Sequence, residues 1–361
     1  MWARKLTRPF TAAGAVRLQE AGAGSGLSGL GGATRAFQGV ASLKGKHLMN
    51  IDELTDSELR GLLSLSAQLK ATYKSSSPSS LPRPLTGTSV SMIFQKRSTR
   101  TRVSTETGMA MLGGHALFLG PQDIQLGVNE SLRDTAAVLS RFNSLILARV
   151  FAHPDVQMLA KHSSVPVINA LSDLYHPLQA LADLLTLEEH FGEGGMEGKV
   201  LAWVGDGNNV LHDLAMGAVR LGMHVRVACP EGYEPDAEVM KKVQGHAQRK
   251  GGSLMMTRDP MAAVEGANVV VTDTWVSMGQ EEEYEKRMRD FEGFQVNKAM
   301  MEKGAGKEGG KAGCVFLHCL PRHPEEVTDE VFYDEERSLV FPEAENRMWT
   351  VMAVMLSLVG K

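Results

Sequence analysis

The chain has 361 residues, 43% of them hydrophobic and 22% charged, with a formal net charge of −4. That length supports two domains of ordinary size around a large core. The slightly acidic balance argues against nucleic acid or an anionic membrane as the main partner. The longest apolar runs fall short of a membrane span. Three cysteines, Cys229, Cys314 and Cys319, are too few for a disulfide scaffold and lack paired metal spacing, which fits a reducing compartment.

The first 40 residues differ from the rest. They carry Arg4, Lys5, Arg8, Arg17 and Arg35 against a single acid, Glu20, in a background of small residues. An Arg-rich, acid-poor start without a continuous apolar core predicts an organelle transit peptide over 1–40 rather than a secretory signal. An ordinary tail is the plain alternative.

The first helix follows Leu54. Thr55 and Glu58 have capping-box spacing, and Leu59, Leu62, Leu63 and Leu69 recur at helical intervals. Ser75 to Pro84 is a Ser/Pro-rich loop. Val90 to Phe94 predicts a strand, 101–112 a helix and His115 to Leu119 a short strand. Helix and strand signals then alternate: helix 129–141, strand 144–150, helix 155–162, strand 165–169. Helix 177–190 has Pro177 in its first turn.

Gly192-Glu193-Gly194-Gly195 interrupts the pattern, and a second series follows. Strand 200–204, helix 210–221, strand 224–228, helix 237–250 and strands 268–272 and 315–318 are expected there. Residues 303–313 are Gly/Lys-rich and predict a surface loop. A last helix is expected from about 343 to 358. Such alternation marks parallel α/β sheets. The expected fold is α/β with two domains, each a parallel sheet flanked by helices: 41–182, completed by the terminal helix 343–361, and 183–342.

The richest motif is Ser98-Thr99-Arg100-Thr101-Arg102, between the strand ending at Phe94 and a helix. Orphan N–H groups and the positive end of the helix dipole meet there, with hydroxyls and a guanidinium fork added. A phosphate or other small dianion fits. An N-capped surface helix is the bland alternative, but a cap needs one hydroxyl and no arginine.

Arg149 ends a buried strand, where parallel sheets face their ligands; a structural salt bridge would also explain it. His176-Pro177-Leu178-Gln179 opens a helix, and both polar side chains can bond a small carbonyl or amide, although a cap histidine is often structural. Gly205-Asp206-Gly207-Asn208-Asn209 only partly resembles a dinucleotide fingerprint, because position 210 is Val. Its adjacent amides suit a zwitterion, or a plain βα turn. Asp273 sits at a strand end, before Ser277 and Met278. Glu281-Glu282-Glu283 predicts a solvated helix start, with Lys286 and Arg287 as i,i+4 partners. Cys319, in His318-Cys319-Leu320-Pro321-Arg322, could be a nucleophile, an amine contact or a buried spectator.

Together, in this order, these motifs resemble the transcarbamylases, the aspartate/ornithine carbamoyltransferase family, over about residues 42–358. Phe94-x-Lys96-Arg97-Ser98-Thr99-Arg100-Thr101-Arg102 and His176-Pro177-x-Gln179 are similar to the family's carbamoyl phosphate signatures. Asp273-x-x-x-Ser277-Met278-Gly279 and His318-Cys319-Leu320-Pro321 resemble the ornithine type found in vertebrate mitochondria. Glu343-Ala344-Glu345-Asn346-Arg347 matches the start of the terminal helix.

The resemblance implies that Ser98, Thr99, Arg100 and Thr101 bind the phosphate. Arg149, His176 and Gln179 would bind the carbamoyl end, with Cys319, Leu320 and Arg347 beside it. Asn209, Asp273, Ser277 and Met278 would bind ornithine. Catalysis would fall to Cys319, Asp273, Arg149 and His176, with no metal and no organic cofactor. The family implies a homotrimer with active sites between subunits, and the loop 122–127 resembles one that reaches a neighbouring site. Gln125 stands there where a His is expected. The expected location is the mitochondrial matrix, with peripheral contact to the inner membrane the only membrane association left open. The alternatives are transfer to aspartate or acetylornithine, or an inactive paralogue that only binds. An aspartate enzyme would carry His-Pro-Leu-Pro in place of His318-Cys319-Leu320-Pro321. Neither rival is expected to keep Ser277-Met278-Gly279.

Overall fold

The structure is a computed structural model that describes residues 37–76, 82–124, 130–277, 280–305 and 313–360. The expected transit peptide, apart from its last four residues, lies outside the described residues, as do Gln125 and Met278.

The first sheet is built from β1 (Ser89–Phe94), β2 (His115–Leu119), β3 (Leu145–Arg149) and β4 (Val167–Leu171). Helices α1 (Asp56–Ser75), α2 (Thr99–Met111), α3 (Leu132–Phe142), α4 (His153–His162) and α5 (Pro177–Phe191) flank it. All its strands are parallel, in the order β2-β1-β3-β4. The chain therefore steps from β1 to one side and returns to the other. That reversal opens a crevice at the carboxyl ends of β1 and β3.

The second sheet has β5 (Val200–Val204), β6 (His224–Ala228), β7 (Ser253–Thr257), β8 (Val269–Thr272) and β9 (Val315–His318). Its order is β7-β6-β5-β8-β9, again all parallel. Its reversal lies between β5 and β8, so the loops after Val204 and Thr272 face a second crevice. Helices α6 (Asn209–Arg220), α7 (Ala237–Lys250), α8 (Pro260–Val264), α9 (Tyr284–Asp290), α10 (Lys298–Lys303) and α11 (Asp329–Phe332) complete this half. Helix α12 (Val340–Val359) then returns to pack on α5, α1 and α2 of the first half.

Most expected elements are found within one to three residues; β5, β6 and α7 match at both ends. Helix α1 has its full capping box, Thr55 accepting from the Glu58 N–H and Glu58 from the Thr55 N–H. Three differences stand out. Helix α3 begins at Leu132, because Ser131 caps it by accepting from the Asp134 N–H. Helix α12 begins at Val340, three residues early. Strand β7 was not expected, because Ser253-Leu254-Met255-Met256-Thr257 lacks the β-branched run that signals a strand.

The boundary expected at 182/183 falls in the middle of α5, whose residues Pro177 to Leu187 are all buried. Arg287, expected on a solvated face, is instead buried. It donates to Glu283 at 2.8 Å as the i,i+4 rule requires, but also to Asp206 and to the Trp275 carbonyl. Lys286 pairs with Asp290 at 3.1 Å.

Arg220 of α6 clamps the two halves. Its guanidinium, 3% exposed, donates to Asp56 and to the carbonyls of Ile51 and Leu54. Replacing it with Met keeps the apolar stem and strands those acceptors. Arg220→Met should lower the unfolding free energy by about 2–3 kcal/mol, read from the urea midpoint. A change under about 0.5 kcal/mol would show that water replaces the clamp without penalty.

Candidate active site

A cleft of about 700 Å³ lies where the two crevices meet. The first half supplies its basic wall. Ser98 caps α2 by accepting from the Thr101 N–H at 3.3 Å, which leaves its hydroxyl hydrogen and the first-turn N–H groups for a guest. So the bland reading and the functional one share a residue. Thr99, Arg100 and Thr101 line the cleft beside it.

Arg100 donates to the Leu320 carbonyl. Arg149, at the end of β3, is 7% exposed, and its Nε has no hydrogen-bond partner. Arg347 of α12 donates to Thr101 Oγ1 at 2.9 Å and to Gln179 Oε1 at 2.5 Å. Among the described residues, none of the three arginines ion-pairs with a carboxylate. Burial and mutual repulsion push Arg149 and Arg347 down to about 10, still cationic at neutral pH. Three converging cations without counter-charge are costly unless an anion joins them.

His176 begins α5 in the same wall. Burial, then the three arginines, hold it well below the usual histidine range. The ring is therefore neutral and can offer one N–H to a carbonyl oxygen.

The opposite wall comes from the second half. Asp273 follows β8 and accepts three bonds: from Asn208 Nδ2 at 2.7 Å, from the Thr274 N–H at 2.8 Å and from Cys319 Sγ at 2.9 Å. Burial and the adjacent carboxylate push the Cys319 thiol well above the usual range, so it is a neutral donor. Asn209 and Ser277 line the cleft. The Asn209 amide also reaches across to the Ser172 carbonyl. Leu320 adopts φ +63°, held by its N–H to His318 Nδ1 at 2.9 Å and by Arg100 on its carbonyl.

Of the residues expected from sequence, Ser98, Thr99, Arg100, Thr101, Arg149, His176, Asn209, Asp273, Ser277, Cys319, Leu320 and Arg347 all line this one cleft. Gln179 does not; it sits one layer behind Arg347. Sequence reasoning read both amides of Asn208-Asn209 as suited to a zwitterion; it missed that Asn208 caps α6 and orients Asp273, and it missed Tyr284 and His323 at the rim.

Asp273, His318 and Cys319 bring three ligand atoms within 4.8 Å of one another. They do not make a good metal site. His318 Nδ1 accepts from Leu320, so Nε2 must carry the hydrogen that faces Glu326 at 3.2 Å. No lone pair is left.

Two family models match the two halves in turn. Residues 46–189 match the carbamoyl-P binding domain, and residues 197–358 the Asp/Orn binding domain, of aspartate/ornithine carbamoyltransferase. The chain belongs to the aspartate/ornithine carbamoyltransferase family. It is 53% identical to the mitochondrial ornithine transcarbamylase of Gallus gallus, over 88% of this chain and 86% of that one. Against the mitochondrial ornithine carbamoyltransferase of Aquarana catesbeiana it is 51% identical, over 89% of each chain. Its fold is similar to the ornithine carbamoyltransferase of Pyrococcus furiosus, with TM-score 0.82 and 46% identity over 88% of this chain and 98% of that one. The mitochondrial enzyme of Coccidioides immitis gives 0.77 and 47%, over 88% and 100%.

Within this carbamoyltransferase, the thiol state of Cys319 is open to measurement. Its pKa is raised, so at pH 8 iodoacetamide should label it at least tenfold more slowly than a free cysteine of pKa near 8.5. Labelling as fast as the free thiol would mean that Cys319 is a thiolate.

Proposed function

We propose that this carbamoyltransferase moves the carbamoyl group from carbamoyl phosphate to the δ-amine of L-ornithine, giving L-citrulline and phosphate. The carrying observation is the opposition of two walls. Three uncompensated guanidiniums and a helix N-terminus face a carboxylate and neutral thiol across one cleft. The first wall suits an acyl phosphate dianion, and the second an amine. The relatives named ornithine carbamoyltransferase support the same acceptor, with arginine biosynthesis and the urea cycle as the setting.

The division of labour follows the fold. Residues 41–191 with α12 hold carbamoyl phosphate, and 192–339 hold ornithine. Ser98, Thr99, Arg100 and the first-turn N–H groups of α2 carry the phosphate. Thr101, Arg149 and neutral His176 surround the carbamoyl oxygen, where negative charge develops as the amine attacks. Asp273 and Cys319 orient the amine, while Asn209 and Ser277 meet the amino-acid end, a role the family resemblance also gives to Met278.

Ornithine's δ-amine resembles that of lysine, with a pKa of roughly 10.4, so near pH 8 the free amine is under about 1% and its selection costs roughly 3 kcal/mol. Its nitrogen bonds to the carbamoyl carbon, the carbon–oxygen bond to phosphate breaks, and the amine proton leaves with phosphate. Cys319 stays a thiol throughout, because the amine is itself a competent nucleophile.

The chain acts in mitochondria, as its relatives named mitochondrial do; the basic start of the sequence would serve as the transit peptide. Among the described residues, no helix is long and apolar enough to cross a membrane. A homotrimer with sites between subunits is the assembly that the family resemblance suggests. Exposed Val103, Leu117 and Phe142 on the first half would lie in or near its contacts.

Side-by-side assays with ornithine, aspartate and acetylornithine test the acceptor. Only ornithine should give product; turnover of either rival at a comparable rate overturns the reading, and none at all makes the chain a binding paralogue. The rate with ornithine should climb from pH 6 towards 8 as the amine deprotonates, and a flat profile would contradict that step. Arg100→Ala should cost about 2–3 kcal/mol, roughly 30- to 150-fold, in carbamoyl phosphate affinity while the melting temperature stays near wild type. Intact affinity would refute the phosphate assignment.

A further inference from the structure

Behind the basic wall, two acids hold Arg347 through an amide, without touching it themselves. Gln179 Nε2 donates to Asp183 Oδ1 and to Glu343 Oε1, both at 2.7 Å, while its Oε1 accepts from Arg347 Nη1 at 2.5 Å. All four side chains are at most 3% exposed. Only one amide orientation satisfies this network. The reverse would set the carbonyl oxygen against two carboxyl oxygens and the NH₂ group against a guanidinium. Glu343 Oε2 also accepts the His318 N–H at 2.9 Å, one residue before Cys319.

The arrangement separates orientation from charge. A carboxylate placed directly on Arg347 would fix it equally well but would cancel its charge. The amide passes on the geometry and leaves the guanidinium cationic towards the cleft. Burial raises both acids, and the Asp183 charge lifts Glu343 further, so the pair keeps a proton at neutral pH. So the layer carries less negative charge than two carboxylates would.

We propose that Asp183 and Glu343 are positioning residues that act through Gln179 to hold the Arg347 guanidinium, still charged, against the acyl phosphate. This rests on the function proposed above. An apolar side chain at 183 removes one of the two acceptors that fix the Gln179 amide, so the amide can turn and Arg347 is left with Thr101 alone for part of the time. Asparagine at 183 restores that acceptor, because its carbonyl can still take the Gln179 N–H.

The test uses the full chain as it exists after import, with Asp183→Leu, Asp183→Ala and Asp183→Asn made together, so that a misfolded leucine variant leaves the alanine one. Carbamoyl phosphate binding is measured alone by calorimetry, and both KM values by citrulline formation. Leu and Ala should weaken carbamoyl phosphate binding at least tenfold and move the ornithine KM less than threefold. Asn should recover most of the lost affinity. The inference falls if Asn is as poor as Leu, if both substrates weaken together, or if Leu and Ala bind carbamoyl phosphate like wild type. Wild type that binds carbamoyl phosphate but ignores ornithine would sink the acceptor assignment alone, and the binding arm would still decide on the relay. Wild type that fails to bind carbamoyl phosphate overturns both.

Discussion

The structure depends on keeping three guanidiniums together at the floor of a cleft without letting them be neutralised. Arg100, Arg149 and Arg347 come from α2, β3 and α12, so no single element bears the repulsion. At an effective dielectric of about 20, two unit charges 4 Å apart repel by roughly 4 kcal/mol. The fold sustains this with neutral acceptors: Thr101 Oγ1, Gln179 Oε1 and the Leu320 carbonyl. Asp183, one layer behind the floor, is pushed up to about 7 by burial, and Asp213 of α6, which accepts the Ile51 N–H, up to about 8. A fully ionised carboxylate at 183 would offset more of the charge on Arg347.

Helix α12 makes that arrangement possible. Its middle is buried among α1, α2 and α5, and its start touches β9 through Glu343. One helix thereby brings Arg347 to the first half and fixes the strand end that carries Cys319. The chain returns from the second sheet to finish the first half's site. This is why the basic wall is not continuous in sequence.

What could be read from the sequence was whatever is local. The cradle at Ser98–Arg102, the capped helix α1 and the strand ends at Arg149 and Asp273 all announce themselves within a few residues. The strand-helix rhythm predicted two parallel sheets, and the order of motifs predicted both walls. What could not be read depends on partners far away. Asp183 looks like an ordinary helix residue until Glu343, 160 positions later, is seen against the same amide. Gln179 was expected to touch substrate, yet the guanidinium of Arg347 stands between it and the cleft. Arg287 reads as a surface charge, because its partner Asp206 lies in a loop 81 residues back. Strand β7 was hidden by its two methionines, which fill a pleated edge without β-branching.

The two walls follow opposite electrostatic logic, and the chemistry needs both. On the acyl side, cations are kept unpaired, so charge developing on the carbamoyl oxygen and on phosphate meets donors already in place. On the amine side, Asp273 already accepts from Asn208, Thr274 and the Cys319 thiol, so its oxygens are fixed before an amine arrives, with acceptor capacity left for it. A thiolate in place of that thiol would add a second negative charge next to Asp273. It would stabilise the ammonium form and make the reactive free amine rarer still. The neutral thiol avoids that: it donates to the carboxylate, and in the proposed reaction its sulfur lone pairs would remain for the amine. The feature that makes Cys319 a poor nucleophile would then be the one that lets ornithine be the nucleophile.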